Sequence, residues 1–134
     1  MNNTELLAAA FEVRRHAHAP YSNFAVGAAL QTKSGRIFTG CNVENISFRL
    51  TVCAEEAAVA AAVAGGERDF VAIAVVADST EPAMPCGACR QVLAEFNPEI
   101  EVITSTVDGR KQSTRLNELL PGAKQGILES FRNV

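Results

Sequence analysis

The chain has 134 residues, 48% hydrophobic and 20% charged, values that fit one globular domain over 1–134 with a sizeable core. Its net charge is only −3 and no Lys/Arg-rich run occurs, so the electrostatic footprint of a nucleic-acid binder is missing and a small, nearly neutral ligand suits it better. No apolar run is long enough for a membrane span, and Met1-Asn2-Asn3-Thr4-Glu5 lacks the basic start and apolar stretch of a secretory signal, which points to the cytoplasm.

In chain order, Asn2 to Ala17 reads as a helix with an apolar stripe at Leu6, Ala9, Ala10, Val13 and Ala17, ended by Pro20. Ala25 to Thr32 alternates through Val26, Ala28 and Leu30, and Lys33-Ser34-Gly35 turns it into a second alternating run from Arg36 to Gly40, a hairpin. Thr51 to Ala64 is a second helix, with Thr51 as its expected cap and Gly65-Gly66 as its stop. Phe70 to Ala77 is a continuous apolar run, the pattern of a strand buried on both faces. A loop to Pro85 leads into a helix from Cys86 to about Phe96, stopped by Asn97-Pro98. Ile100 to Thr106 is a strand, Asp108-Gly109 a turn, and Gln112 to Thr114 a short edge strand. The tail from Leu116 to Val134 reads as helical in pieces around Pro121-Gly122. This order predicts an α/β fold of three layers, α/β/α, with a mixed five-stranded sheet covered by helices on both faces.

In a reducing compartment four cysteines suggest metal binding or catalysis before disulfides. Cys86 and Cys89 form a Cys-x-x-Cys pair on the first turn of a helix, where both sulfurs can reach one ion. Taken alone, the pair fits a redox dithiol, half of a structural zinc site or a chance pairing of buried cysteines, together about as well as it fits a catalytic site. Cys53-Ala54-Glu55 narrows the choice, because Cys53 opens another helix and two helices side by side on one sheet bring their N-termini together. A cysteine, then a carboxylate two residues on, then Pro-Cys-x-x-Cys, is similar to the signature of zinc nucleobase deaminases in its three-cysteine form. Three protein ligands leave a fourth tetrahedral position for water, which marks a catalytic zinc. Cys41, at a strand end, is expected to be a core thiol outside this set.

The resemblance extends nearly end to end. The stretches from Pro20 to Leu30, Gly40 to Asn45, Cys53 to Glu55, Pro85 to Gln91 and Leu119 to Pro121 resemble the small homotetrameric cytidine deaminases. That resemblance implies one Zn²⁺ per subunit on Cys53, Cys86 and Cys89, with Glu55 as the catalytic acid and base. It implies ribose contacts from Asn42 and Glu44, packing of Phe24 on the base, and contact of the Ala54 backbone with the amide edge of the pyrimidine. The substrate would be a pyrimidine nucleoside, in a homotetramer with shared active sites. Hydroxide would attack C4 while Glu55 delivers a proton to N3; Glu55 then protonates the exocyclic amine, ammonia leaves and uridine remains.

Some positions depart from the family. Three thiolates and hydroxide around Zn²⁺ carry a charge of about −2, which the family commonly offsets with an arginine after the glutamate and another after the last cysteine. Here the second is Arg90, expected to donate to a cysteine sulfur, but the first is Glu56, so that either Glu56 points away or Arg49 supplies the charge. Phe48 stands where the family has tyrosine, Arg49 where it has a small residue, and Lys124 where it has a phenylalanine that closes over the base, the next aromatic being Phe131. An altered base pocket would admit N4-modified cytidines. Competing readings are a blasticidin-type deaminase, which the ribose contacts Asn42 and Glu44 disfavour, a non-catalytic zinc-binding nucleoside sensor, which would not need Glu55, and a redox dithiol protein.

Overall fold

A computed structural model describes residues 3–123. The elements run α1 (Asn3–Arg14), β1 (Val26–Thr32), β2 (Ile37–Cys41), a 3-10 turn (Phe48–Leu50), α2 (Ala54–Ala64), β3 (Phe70–Ala77), α3 (Gly87–Phe96), β4 (Glu101–Thr106), β5 (Lys111–Arg115) and α4 (Leu116–Leu119). The five strands make one mixed sheet in the order β2-β1-β3-β4-β5. β3 and β4 are parallel, joined by the crossover through α3, and every other neighbouring pair is antiparallel. The expected mixed sheet and element order are therefore present.

Strand alternation divides the core between the two faces of the sheet. On one face Leu6 and Ala10 of α1 pack on Ala29, Ala74, Val76 and Ile103. On the other, Ala58 and Ala62 of α2 and Leu93 of α3 pack on Ala28, Leu30, Ile73 and Val102. Gly40 faces α2, and a Cβ there would lie 2.5 Å from the Ala54 carbonyl oxygen and 2.5 Å from the Ala58 nitrogen. Only a residue without a side chain lets the first turns of α2 settle this closely on β2. Gly27 plays the same part for α1, with a built Cβ 2.0 Å from the Ala10 carbonyl oxygen.

Two helices begin or end later or earlier than their local pattern suggests, and both differences shape the site. α1 stops at Arg14, well before Pro20. Beyond it the chain extends so that the His18 N–H donates to Asn42 O at 2.9 Å and the Glu44 N–H donates to His18 O at 2.8 Å. α2 starts at Ala54 and is capped by Cys53, not by Thr51. Val43 and Val52 exchange two 2.9 Å backbone hydrogen bonds, which keeps the residues before Cys53 extended. Long-range pairing overrides local propensity at both places. α4 is the helical piece of the tail among the described residues; Lys124 and Phe131 lie outside them.

Candidate active site and metal centre

The two backbone bridges lay the segments around His18, Val43 and Val52 side by side. Next to them the N-termini of α2 and α3 converge. Cys53 is the N-cap of α2, Cys86 the N-cap of α3, and Cys89 the third residue of α3. Their three sulfurs all lie within 4.8 Å of one another, and Cys53 Sγ is 4.0 Å from Cys86 Sγ. Sulfurs of a tetrahedral zinc site stand roughly 3.8 Å apart, given a Zn–S bond of about 2.3 Å. The donor set therefore lies close to the spacing that one zinc ion requires. Cys89 is buried, Cys53 half-buried and Cys86 exposed, while Cys41 at the end of β2 stands outside the group. Hydrogen bonding from Cys89, then from Cys86, holds the Cys53 thiol below its ordinary value, and the same bond together with burial pushes Cys89 up. Three thiolates brought this close together ask for a cation between them.

Beside the sulfurs opens a cavity of about 200 Å³, whose wall includes Phe24, Asn42, Cys53, Ala54, Glu55 and Cys86. Glu55 is the second residue of α2 and is only 6% exposed. Burial is the main influence on its carboxyl and raises its pKa above the usual value, with the charge of Glu56 adding to the rise. With Val26, four further residues, Thr51, Val75, Ala83 and Met84, complete the wall. These four went unassigned in the sequence, although Thr51 and Met84 each stand two residues before a cysteine of the cluster.

Asn42 and Glu44 point to the same side of their extended segment, toward the loop that carries Phe24. Asn42 Oδ1 accepts the Val26 N–H at 2.9 Å and its Nδ2 donates to Phe24 O at 2.8 Å. An amide offers two donors and two lone pairs, so one of each remains on Asn42. Glu44 Oε1 accepts the N–H of Tyr21 at 2.9 Å and of Ser22 at 3.2 Å, and Oε2 accepts the Ser22 hydroxyl. The Ser22 hydroxyl bond, with the backbone donors behind it, holds the Glu44 carboxyl below the ordinary range despite some desolvation. Both side chains thus brace the 21–26 loop, and Phe24 is left at the cavity, 39% exposed.

Two expectations need correcting, and two further candidates lie outside the cavity of the single chain. Arg90 does not aim at a sulfur: Nε donates to Pro85 O at 2.8 Å and Nη1 to Leu119 O at 3.0 Å. Its guanidinium spans the carbonyl before Cys86 and the end of α4, two stronger acceptors than a thiol. Glu56 does not point away, since its Oε1 accepts the Cys53 N–H at 3.2 Å. Phe48 and Arg49 sit on the exposed 3-10 turn and do not line the cavity; Phe48 instead meets Tyr21 edge-to-face at 6.0 Å between ring centroids.

Residues 1–105 match the family described as the cytidine and deoxycytidylate deaminase zinc-binding region. The chain belongs to this family. A cytidine deaminase of Halalkalibacterium halodurans is 48% identical over 124 residues, covering 92% of this chain and 94% of that protein. A blasticidin-S deaminase of Bacillus cereus is 35% identical over 104 residues, 72% of this chain and 74% of that protein. Among solved structures, the cytidine deaminase of Burkholderia pseudomallei superposes with a TM-score of 0.88 at 48% identity, covering 90% of this chain and 98% of that one. The family is zinc-binding, and the three-cysteine cluster of this member supplies the donors for one Zn²⁺ per subunit.

Proposed function

We propose that the protein deaminates cytidine and deoxycytidine hydrolytically, releasing ammonia and leaving uridine or deoxyuridine. The observation that carries this reading is Glu55, a buried carboxyl in the wall of the same cavity as Cys53 and Cys86. Cys53, Cys86 and Cys89 hold the zinc, which when bound acidifies water and so makes hydroxide available near neutral pH. Glu55 would take the proton released from that water and pass it to N3 of the pyrimidine as the hydroxide adds to C4. It would then take the proton of the new C4 hydroxyl and deliver it to N4, so that the C4–N4 bond breaks, ammonia departs and the C4 carbonyl of the uracil ring remains. Its raised pKa suits a group that must both accept and donate near neutrality.

Phe24 packs on the base, and the main chain at Ala54 meets the amide edge of the ring. The remaining donor and lone pair of Asn42, which lines the cavity, would take one ribose hydroxyl, and Glu44, which lies just outside that wall, would take the other through the free acceptor site on Oε2. Those two ribose partners, and the higher identity to the cytidine deaminase than to the blasticidin-S deaminase over more of the chain, favour a nucleoside. Arg90 braces the turn before Cys86 by holding the Pro85 carbonyl.

The active unit is a homotetramer in the cytoplasm. Support for assembly comes from a strip of exposed apolar side chains, Ile46, Phe48 and Leu50 at 82%, 74% and 63% exposure, beside half-exposed Tyr21. Patches of this kind mark association surfaces. Among the described residues no helix is long and apolar enough to cross a membrane.

An ultraviolet assay of cytidine, deoxycytidine and an N4-methyl analogue, on wild type and Glu55→Ala, tests the assignment. Wild type is expected to turn over both unmodified nucleosides and the variant neither, with zinc content unchanged. Equal turnover by the variant would remove Glu55 from the mechanism. Release of methylamine from the analogue would extend the substrate range to N4-modified cytidines.

A further inference from the structure

We propose that Glu56 is a positioning residue of the metal site, its carboxylate fixing the Cys53 ligand through the main-chain N–H of that cysteine. The inference rests on the assignment of zinc to Cys53, Cys86 and Cys89. Two of those residues share α3, so the site closes only if the single sulfur carried by α2 is delivered to them accurately. Cys53 is a junction residue: its backbone is extended at φ −75° and ψ 154°, and the helix begins immediately after it. On the upstream side the Val43–Val52 bridge fixes the chain. On the downstream side Glu56, the third residue of α2, reaches back to the Cys53 N–H at 3.2 Å. This is the acid half of a capping box, an arrangement that fixes the entry of the chain into the helix.

α3 carries a counterpart of opposite sign. There Arg90 holds the carbonyl of Pro85, immediately before Cys86, so each ligand-bearing helix is stapled by a charged side chain from its own first turns. Arg90 is committed to two carbonyls and Arg49 stands exposed on its turn, so neither substitutes for Glu56 at Cys53. Position 56 in this chain thus serves the backbone of a ligand.

The test begins with the zinc content of purified wild type by atomic absorption. It then follows zinc release to a chromogenic chelator in wild type, Glu56→Gln and Glu56→Ala. Loss of a residue that orients a ligand typically weakens metal binding by about 10- to 100-fold, and release from Glu56→Ala is expected to quicken by roughly tenfold or more. Glu56→Gln keeps an acceptor for the same N–H and is expected to stay within about threefold of wild type, because an amide oxygen bonds more weakly than a carboxylate. Glu56→Met, similar in size and without that acceptor, is expected to match alanine and decides the question if the alanine variant does not fold. The sulfur-to-cobalt charge-transfer band of cobalt-loaded protein should shift in the alanine and methionine variants and not in the glutamine one. Wild type without zinc would overturn the site assignment itself. Zinc-loaded wild type with alanine and methionine variants that release zinc at its rate would overturn the role of Glu56 alone. Glutamine releasing as fast as alanine would show charge, not the hydrogen bond, to be the cause.

Discussion

Gly40→Ala should damage catalysis more than its small size suggests. The added methyl would stand 2.5 Å from the Ala54 carbonyl oxygen, 2.5 Å from the Ala58 nitrogen and 2.8 Å from the Ala57 Cβ. All three belong to the first turns of α2, and two are backbone atoms, so no side chain can swing aside to make room. Ordinary contact at about 3.5 Å requires α2 to retreat by roughly 1 Å, and Cys53, Ala54 and Glu55 ride on that end of the helix. Overpacking of this kind costs about 1–3 kcal/mol of stability. A misplacement of about 1 Å in reacting groups costs on the order of 100-fold in rate. Gly27→Ala supplies the control, since its methyl would press on Ala10 and Arg14 of α1, a helix that carries no site residue. Thermal melts and ultraviolet kinetics with cytidine on both variants separate the effects. Gly40→Ala should lose about 100-fold in kcat/KM and part of its zinc, while folded Gly27→Ala loses stability and keeps most of its specific activity. A Gly40→Ala enzyme with wild-type kcat/KM would refute the claim that β2 sets the position of Glu55.

Replacing Glu55 by Gln should lower kcat by about 10²- to 10⁴-fold, the usual worth of a positioned proton carrier, with zinc content unchanged by metal analysis. Ser22→Ala removes the largest influence lowering the Glu44 carboxyl. A depressed carboxylate keeps its contacts above its unfolded pKa and loses them as pH falls through the folded value, so the wild-type KM for cytidine should hold steady down to about pH 4.5, whereas that of Ser22→Ala should climb sooner on acidification. KM profiles that coincide would separate Ser22 from Glu44. Leu50→Asp places a charge in the exposed apolar strip and should shift the proposed tetramer to smaller species in light scattering; an unaltered mass would locate the interface elsewhere.

How far the sequence could be read depended on how local each determinant was. β3 was legible to the residue, because an unbroken Phe-Val-Ala-Ile-Ala-Val-Val-Ala run of this length, rich in β-branched residues, favours a strand covered on both faces, and Val71 escapes burial only near its start. The cysteines and Glu55 were legible because their order and spacing are similar to a known deaminase signature, and the structure places them at the converging starts of two helices. The start of α2 was not legible, since Thr51 is a good cap by type and only pairing of Val52 with Val43 displaces it. Arg90 was misjudged for a related reason. Its partner at Leu119 is 29 residues away, and nothing near Cys89 in the sequence announces that carbonyl. The cavity wall at Ala83 and Met84 lies in a loop without periodicity, where type alone says nothing about direction.

The missing arginine at position 56 looks, in sequence, like an uncompensated excess of negative charge at the zinc ligands. The fold meets much of that excess with main chain. Cys53 and Cys86 occupy N-caps and Cys89 the first turn of α3, so all three sulfurs sit where unpaired N–H groups and the positive ends of two helix dipoles converge. The third position of a helix also favours an acid, and Glu56 occupies it with its carboxylate on the cap N–H. Glu55, one residue earlier, feels the same helix end, which favours its ionised form. Yet its pKa moves the other way, because burial in the cavity outweighs the backbone donor that opposes it. Two neighbouring glutamates on one helical turn therefore have separate chemistries. The one held by the backbone keeps its carboxylate on the cap N–H of Cys53, and the one buried in the cavity wall has its carboxyl raised toward the range in which it can exchange a proton.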